Sequence, residues 1–209
     1  MVSRLKRSAA QKKKILDKAR ELFWVKGYDK TSIRDIAGAC GFEPSNVYNY
    51  FSNKEQLLYE ILREGLERQI SLIADLENDS AHSPVERLRM LIQRNIHHVL
   101  GYRRSSGLLF DVGLKNLSPA RRKKIIEYRD AYDRIMRKVI RDGVESGDFA
   151  EVDDKLAGFA ITSIITRSRV WFSSRGRLSA DQIADFMFEF VLNGLRSGKT
   201  APDLKTKPR

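Results

Sequence analysis

A chain of 209 residues has room for one sizeable core, or for a small domain joined to a larger one. With 42% hydrophobic and 32% charged residues its composition is that of a soluble globular protein, and no uncharged apolar run nears the roughly 18 residues of a membrane span, so no membrane association is expected. The net charge of +12 is concentrated at one end, where residues 1–54 carry 12 Lys+Arg against 5 Asp+Glu.

The amino terminus, MVSRLKRSAAQKKK, is basic but has neither the apolar core nor the cleavage site of a secretory signal, so a cytoplasmic protein is expected. Its six cations, Arg4, Lys6, Arg7, Lys12, Lys13 and Lys14, come without an acid. They suit a segment lying near phosphates; the alternative is a solvated arm. Apolar residues then recur at helical spacing from about Ala9 to Lys26, with Ile15, Ala19, Leu22 and Phe23 on one face and Gly27 placed to end the helix. Thr31 or Ser32 caps a second helix ending near Cys40 and Gly41, and Pro44 opens a third at a position where proline costs no hydrogen bond.

Asn53 and Gln56 open a long fourth helix to about Leu76. After a polar connector, Ser83-Pro84-Val85-Glu86 combines cap, proline and capping-box glutamate for a fifth helix to about Tyr102. A short sixth spans about Ser106 to Lys115, and Ser118-Pro119 opens a seventh that runs to Glu145 and is broken by Gly147. Asp153 caps an eighth to about Phe172, and Ser179 with Gln182 opens a ninth that ends near Arg196 and Gly198. No stretch alternates as a strand does, so the expected fold is all-α, about nine helices, divided into residues 1–54, 55–198 and a flexible basic tail at 199–209.

The stretch TSIRDIAGACGFEPSNVYNYFSNKEQLL has the layout of a helix-turn-helix. Ile33, Ile36, Ala37 and Cys40 form the inward face of its first helix, Val47 and Phe51 that of its second, and Gly41 is the turn. Pro44, Ser45, Asn46, Tyr48, Asn49 and Tyr50 remain outward, a face without acids and rich in groups that bond base edges or phosphate oxygens. The single cysteine, Cys40, reads as a small buried apolar residue.

This passage resembles the TetR family of transcriptional repressors, through Thr31 or Ser32, Ile36, Ala37, Gly41, Phe42, Val47, Tyr48, Tyr50, Phe51, Lys54 and Leu57, together with the preceding ARELFWVKGYDKTS. The resemblance implies an amino-terminal headpiece on operator DNA. Tyr48 and Lys54 would bond phosphates, Thr31 or Ser32 would offer a hydroxyl at a helix start, Arg34 would lie on the same surface, and Ser45, Asn46 and Asn49 would face bases. Either asparagine can bond adenine in two places; the alternative for each is a phosphate or water contact.

Behind the headpiece, the fifth helix carries Leu88, Leu91, Ile92, Asn95, Val99 and Tyr102 on one side, so Asn95 either bonds neighbouring backbone or faces a pocket. The eighth helix is apolar on two sides. Ala157, Ile161, Ile164, Ile165 and Phe172 share one face and Phe159, Thr162, Ser163, Thr166 and Val170 the other, with Arg167 and Arg169 at the edges. The hydroxyl-bearing face is suited to line a cavity. The candidate effector-binding residues are therefore Asn95, Tyr102, Phe110, Phe159, Thr162, Ser163, Thr166, Arg167, Arg169 and Trp171.

The carboxy-terminal half is similar to TetR members that respond to fatty acyl-CoA or related CoA thioesters, through Trp171-Phe172 followed by Gly-x-Leu-Ser; Arg167-Ser168-Arg169-Val170 stands where such members often carry Asn-Trp. The family resemblance further implies a homodimer through the last two helices, and two-fold operators call for two copies. Arg121, Arg122, Lys123 and Lys124 either attract an anionic ligand or form a solvated face. No Ser/His/Asp arrangement, metal-ligand spacing or glycine-rich phosphate loop is present, so no enzyme, metal or cofactor is expected. The alternative function is a non-specific architectural DNA-binding protein.

Overall fold

The computed structural model describes residues 2–101 and 113–197, with side chains from residue 6 onward. Among them are eight α-helices and one 3-10 turn, and no strand. The first helix, α1, covers Val2–Lys26 and starts seven residues before the expected Ala9, because nothing between them breaks a helix and Arg, Leu and Lys favour one. Gly27, at φ +85°, ends it.

Next come α2 (Ile33–Cys40) and α3 (Pro44–Tyr48), joined through Gly41 at φ +66°. The fourth helix, α4, runs over Lys54–Ser71. Its cap differs from a reciprocal box: Asn53 Oδ1 accepts from the Gln56 N–H at 2.8 Å, while Gln56 Oε1 takes the N–H of Ser52, one residue earlier, at 2.7 Å. It stops five residues before the expected Leu76. Ala74–Glu77 winds instead as a 3-10 turn, whose tighter period places Ile73 and Leu76, three apart, on one buried side.

The remaining helices are α5 (Pro84–Gly101), α6 (Pro119–Glu145), α7 (Asp154–Trp171) and α8 (Ala180–Arg196). Their caps are those foreseen in the sequence: Ser83 with Glu86 for α5, Asp153 for α7 and Ser179 with Gln182 for α8. Most of the expected sixth helix, together with Tyr102, Phe110 and the tail from 199, lies outside the described residues.

Packing groups the chain differently from the expected division at 54/55. Of the described residues, one compact unit takes 2–67 and 113–128, the other 68–101 and 129–197. In the first, Ile15, Phe23, Ile36, Val47 and Phe51 close on Leu57, Leu58, Ile61 and Leu62, and Leu117 and Ile125 join this same core. Gly113 is packed here too, because a Cβ on it would lie 3.0 Å from Leu62 Cδ1. The second unit is built from α5 against α7 and α8, with Tyr132, Ile135, Met136, Val139 and Ile140 of α6 in its core. Each fully buried side chain of this size contributes about 1.5–3 kcal/mol, so both cores are substantial. Among the described residues, no helix is long and apolar enough to cross a membrane.

Candidate nucleic-acid interface and effector-binding residues

The turn between α2 and α3 is set by backbone chemistry. Gly41 adopts a left-handed conformation, and the N–H groups of Gly41 and Phe42 donate to Gly38 O and Ala37 O at 3.0 and 2.9 Å. Ile36, Ala37 and Cys40 anchor α2, and Val47 and Phe51 anchor the chain around α3, all buried as their spacing requires. Ile33 is half-buried. On the opposite side Ser45, Asn46, Tyr48 and Asn49 are exposed, Tyr48 by 55%, while Pro44 is half-buried at the first helical position. A rigid base thus carries a polar face free of acids.

Two members of the expected DNA-facing set are placed elsewhere. Thr31 is only 1% exposed, and its hydroxyl donates to Gly27 O at 2.8 Å, so it closes the α1–α2 connection instead of facing outward. Tyr50 follows the end of α3, where the helical phase no longer applies. It is half-buried against the core, and its phenol donates to Gln11 Oε1 at 2.7 Å. Both are structural braces.

Ser32 caps α2 through a reciprocal box, accepting from the Asp35 N–H at 3.1 Å while its own N–H donates to Asp35 Oδ2 at 2.8 Å. The Ser32 hydroxyl, its N–H and Lys26 together lower the Asp35 pKa to about 2, in that order of importance. Lys54 lies 4.3 Å over the Tyr28 ring and donates to Tyr28 O at 2.9 Å. Ser32, Tyr48 and Lys54 line one open cleft of ≈ 440 Å³ together with Asp29, Lys30, Thr31, Ile33, Ser52 and Asn53. Arg34 is exposed on α2.

The basic helix α1 braces this platform. Lys12 Nζ lies 5.7 Å from the Phe51 ring centroid and Lys14 Nζ 5.1 Å from that of Phe42, both cation–π contacts, while Lys6, Arg7 and Lys13 are exposed. Gln11 and Tyr28 are the supports that the sequence reading missed. Both act on partners 26 to 39 residues away, a separation that helical periodicity does not carry.

Of the four cations at the start of α6, two are committed within the first unit. Arg121 pairs with Glu55 at 3.2 Å, and Arg122 donates to Leu114 O at 3.0 Å and Leu117 O at 3.2 Å. Glu55 also accepts from the Ser118 N–H at 2.8 Å, and that bond, then Arg121, holds its carboxyl below the usual range. Lys123 and Lys124 are exposed.

The effector-binding candidates divide between two faces. Asn95 is fully buried; its amide donates to Leu91 O at 2.9 Å, and its Oδ1 accepts no protein hydrogen bond. Thr162, Thr166 and Arg169 are half-buried, the Thr162 hydroxyl oxygen being wholly enclosed, and burial lowers the Arg169 pKa. Phe159, Ser163, Arg167 and Trp171 are instead exposed, so the structure does not gather them with the inward group. A helix apolar on two sides gives no phase by which to separate the faces. The phenol of Tyr132, on α6, was not singled out in the sequence; it is buried beside Gln69 and Thr162.

Outward on α8, Phe186 and Phe190 are 67% and 64% exposed, with ring centroids 6.3 Å apart, and Leu156 and Phe159 are exposed on α7.

Comparison with known proteins finds two family matches along the chain. Residues 15–61 match the family described as bacterial regulatory proteins, tetR family, and residues 81–195 match the tetracyclin repressor-like, C-terminal domain. The transcriptional repressor KstR2 of Mycolicibacterium smegmatis is 28% identical, over 90% of this chain and 91% of its own. A crystal structure of a tetR-family regulatory protein from Rhodococcus superposes with a TM-score of 0.82 at 27% identity, covering 89% of this chain and 97% of that one. That of AibR in complex with isovaleryl coenzyme A and operator DNA gives 0.78 at 26% identity, over 86% and 97%. With a helix-turn-helix match at its amino-terminal end and a second match spanning more than half its length, the chain belongs to the TetR family of bacterial transcription regulators.

Proposed function

We propose that the chain is a homodimeric repressor which reads a two-fold operator and leaves it when a small molecule binds. The observation that carries this reading is the acid-free exposed face of Ser45, Asn46, Tyr48 and Asn49, held on a buried base. Asn46 and Asn49 are the base readers, Ser45 an accessory, and Pro44 fixes the start of the helix. Tyr48 and Lys54 hold phosphates at the adjoining cleft, with Ser32 and Arg34 beside them. The cations of α1 add sequence-independent attraction. Functionally, residues 1–54 bind DNA, 55–198 bind effector and partner, and 199–209 form a basic tail.

Dimerisation is assigned to the outward faces of α7 and α8, where Leu156, Phe159, Phe186 and Phe190 expose apolar surface that a second copy would cover by two-fold symmetry. Ser163, Arg167 and Trp171 belong with that exposed side, and Asn95, Thr162, Thr166 and Arg169 with the effector side. A CoA thioester is the effector class that the similarity to AibR supports. Its binding would favour a conformation in which the paired recognition helices no longer match successive major grooves.

Anisotropy of a labelled duplex from the region upstream of the chain's own gene tests this reading. Binding at nanomolar protein, reversed by micromolar acyl-CoA, is expected. Equal binding to scrambled duplex would identify an architectural protein instead.

A further inference from the structure

The first half of α1 is a helix without a core. Residues 6–10 are exposed on every side, Lys12, Lys13 and Lys14 are exposed as well, Gln11 is half-buried, and Ile15 is the first buried side chain among the described residues. Residues 1–14 hold six cations and no acid. The charge pattern then changes abruptly. Asp17 pairs with Arg20 at 2.7 Å and Glu21 with Lys18 at 3.2 Å, whereas Lys6, Arg7 and Lys13 form no ion pair among the described residues. A helix that is polar all round and lacks such pairs gains little from folding by itself, and its like charges repel. A polyanion beside it supplies what is missing.

Three contacts fix where this segment leads. Lys14 Nζ lies 5.1 Å from the Phe42 ring centroid, just before α3, while Lys12 Nζ lies 5.7 Å from that of Phe51 and Gln11 accepts from Tyr50 at 2.7 Å, both just after α3. Traced toward its amino terminus, α1 therefore passes from the entry of α3 to its exit, and residues 2–10 continue on the side where α3 ends.

We propose that this segment is a second DNA-binding element, in which Lys6, Arg7 and Lys13 hold backbone phosphates of the duplex flanking each half-site, on the side where α3 ends. The proposal rests on the DNA-binding reading above and adds to it a separate contact, outside the helix-turn-helix, that reads no bases.

Duplex DNA carries one negative charge per about 1.7 Å of its axis, and the helix from Val2 to Lys14 extends about 20 Å, more than half of a duplex turn of about 34 Å. Several phosphates thus fall within the span of one arm. Ser8, Ala9 and Ala10, between the cations, are small, which lets the helix lie close to the sugar–phosphate surface. Gln11, Lys12 and Lys14 tie the base of the arm to the residues on either side of α3, so the arm is aimed by the same platform that carries the polar face.

The test compares wild type with the triple variant Lys6→Gln, Arg7→Gln, Lys13→Gln and with a control of equal charge loss, Lys115→Gln, Lys123→Gln, Lys124→Gln, at cations exposed elsewhere in the first unit. Gln11, Lys12 and Lys14 stay in place, and unchanged thermal unfolding establishes that both variants fold. In hydroxyl-radical footprinting on the duplex from upstream of the chain's own gene, wild type and control are expected to protect about half a turn of backbone on either side of the core site. The arm variant should protect the core alone. Its slope of log affinity against log salt should be smaller than that of wild type by about 2–3 per chain, and the difference should vanish on a duplex trimmed to the core. Footprints of equal width, or an equal change in the control, would overturn the arm and leave the repressor reading standing. If wild type binds upstream and scrambled duplex alike, the operator reading falls while the slope difference on scrambled duplex still decides the arm. No binding to any duplex would refute both.

Discussion

Tyr50 donates a 2.7 Å hydrogen bond to Gln11 Oε1, tying the turn that follows α3 to the basic helix α1. The chain that follows the exposed polar face of α3 is therefore braced by a residue 39 positions away in sequence. Removing the phenol in Tyr50→Phe is expected to lower unfolding stability by about 1 kcal/mol. Gln11→Ala should cost a similar amount, and the double variant little more than either, because both delete the same bond. Denaturant unfolding of the four proteins measures this coupling.

Base readers and phosphate anchors have different signatures. Asn46→Ala and Asn49→Ala are expected to weaken operator binding by about 1–3 kcal/mol each while leaving binding to random duplex unchanged. Lys54→Gln should weaken both alike and reduce the slope of log affinity against log salt by about one. Anisotropy titrations at several salt concentrations separate the two classes.

The Asp35 carboxyl accepts from Ser32 and has its pKa lowered to about 2 in the folded chain. Its contribution is complete above the unfolded value of about 3.9 and is lost as the pH falls through about 2. Asp35→Asn should therefore melt at lower temperature than wild type at neutral pH, with the gap closing between pH 4 and 2. Thermal melts across that interval check the direction.

Phe186 and Phe190 stack on the outside of α8, exposed in the single chain. If they meet their copies, Phe186→Glu or Phe190→Glu places like charges at an apolar contact and shifts the protein to monomer at micromolar concentration, as sedimentation velocity would report. Operator affinity should fall in parallel, and helical content should not.

Gly143 constrains the second unit independently of ligand and DNA. A Cβ on Gly143 would lie 2.1 Å from Cδ2 of Phe149, which is buried under the end of α6. Gly143→Ala is expected to destabilise the second unit by about 1–3 kcal/mol through overpacking, despite alanine's better helix propensity. Gly143→Ala combined with Phe149→Leu should recover part of that loss in thermal unfolding.

Local chemistry was readable in the chain. The caps at Ser32, Ser83, Asp153 and Ser179, the Gly41 turn and the buried positions Ile36, Val47 and Phe51 follow from spacing and residue type, because each acts over a few residues. What escaped depends on partners far along the sequence. Two adjacent hydroxyls, Thr31 and Ser32, were equivalent until Gly27 O claimed one of them. Tyr50 was read outward by extending a helix that ends at Tyr48. Leu117 and Ile125 were grouped with the effector-binding part, yet they pack in the headpiece core. Tyr132 was hidden because its helix is rich in charge, and only the fold reveals that its phenol faces Thr162.

Selection of bound duplexes from a pool with a randomised core, at about 150 mM salt, tests most directly whether this helix-turn-helix reads sequence as a pair. The expected outcome is enrichment of one inverted repeat whose half-sites lie a whole number of helical turns apart, with the enrichment lost in the Asn46→Ala, Asn49→Ala double variant. Recovery of duplexes without a common motif, at affinities that follow salt alone, would contradict the account.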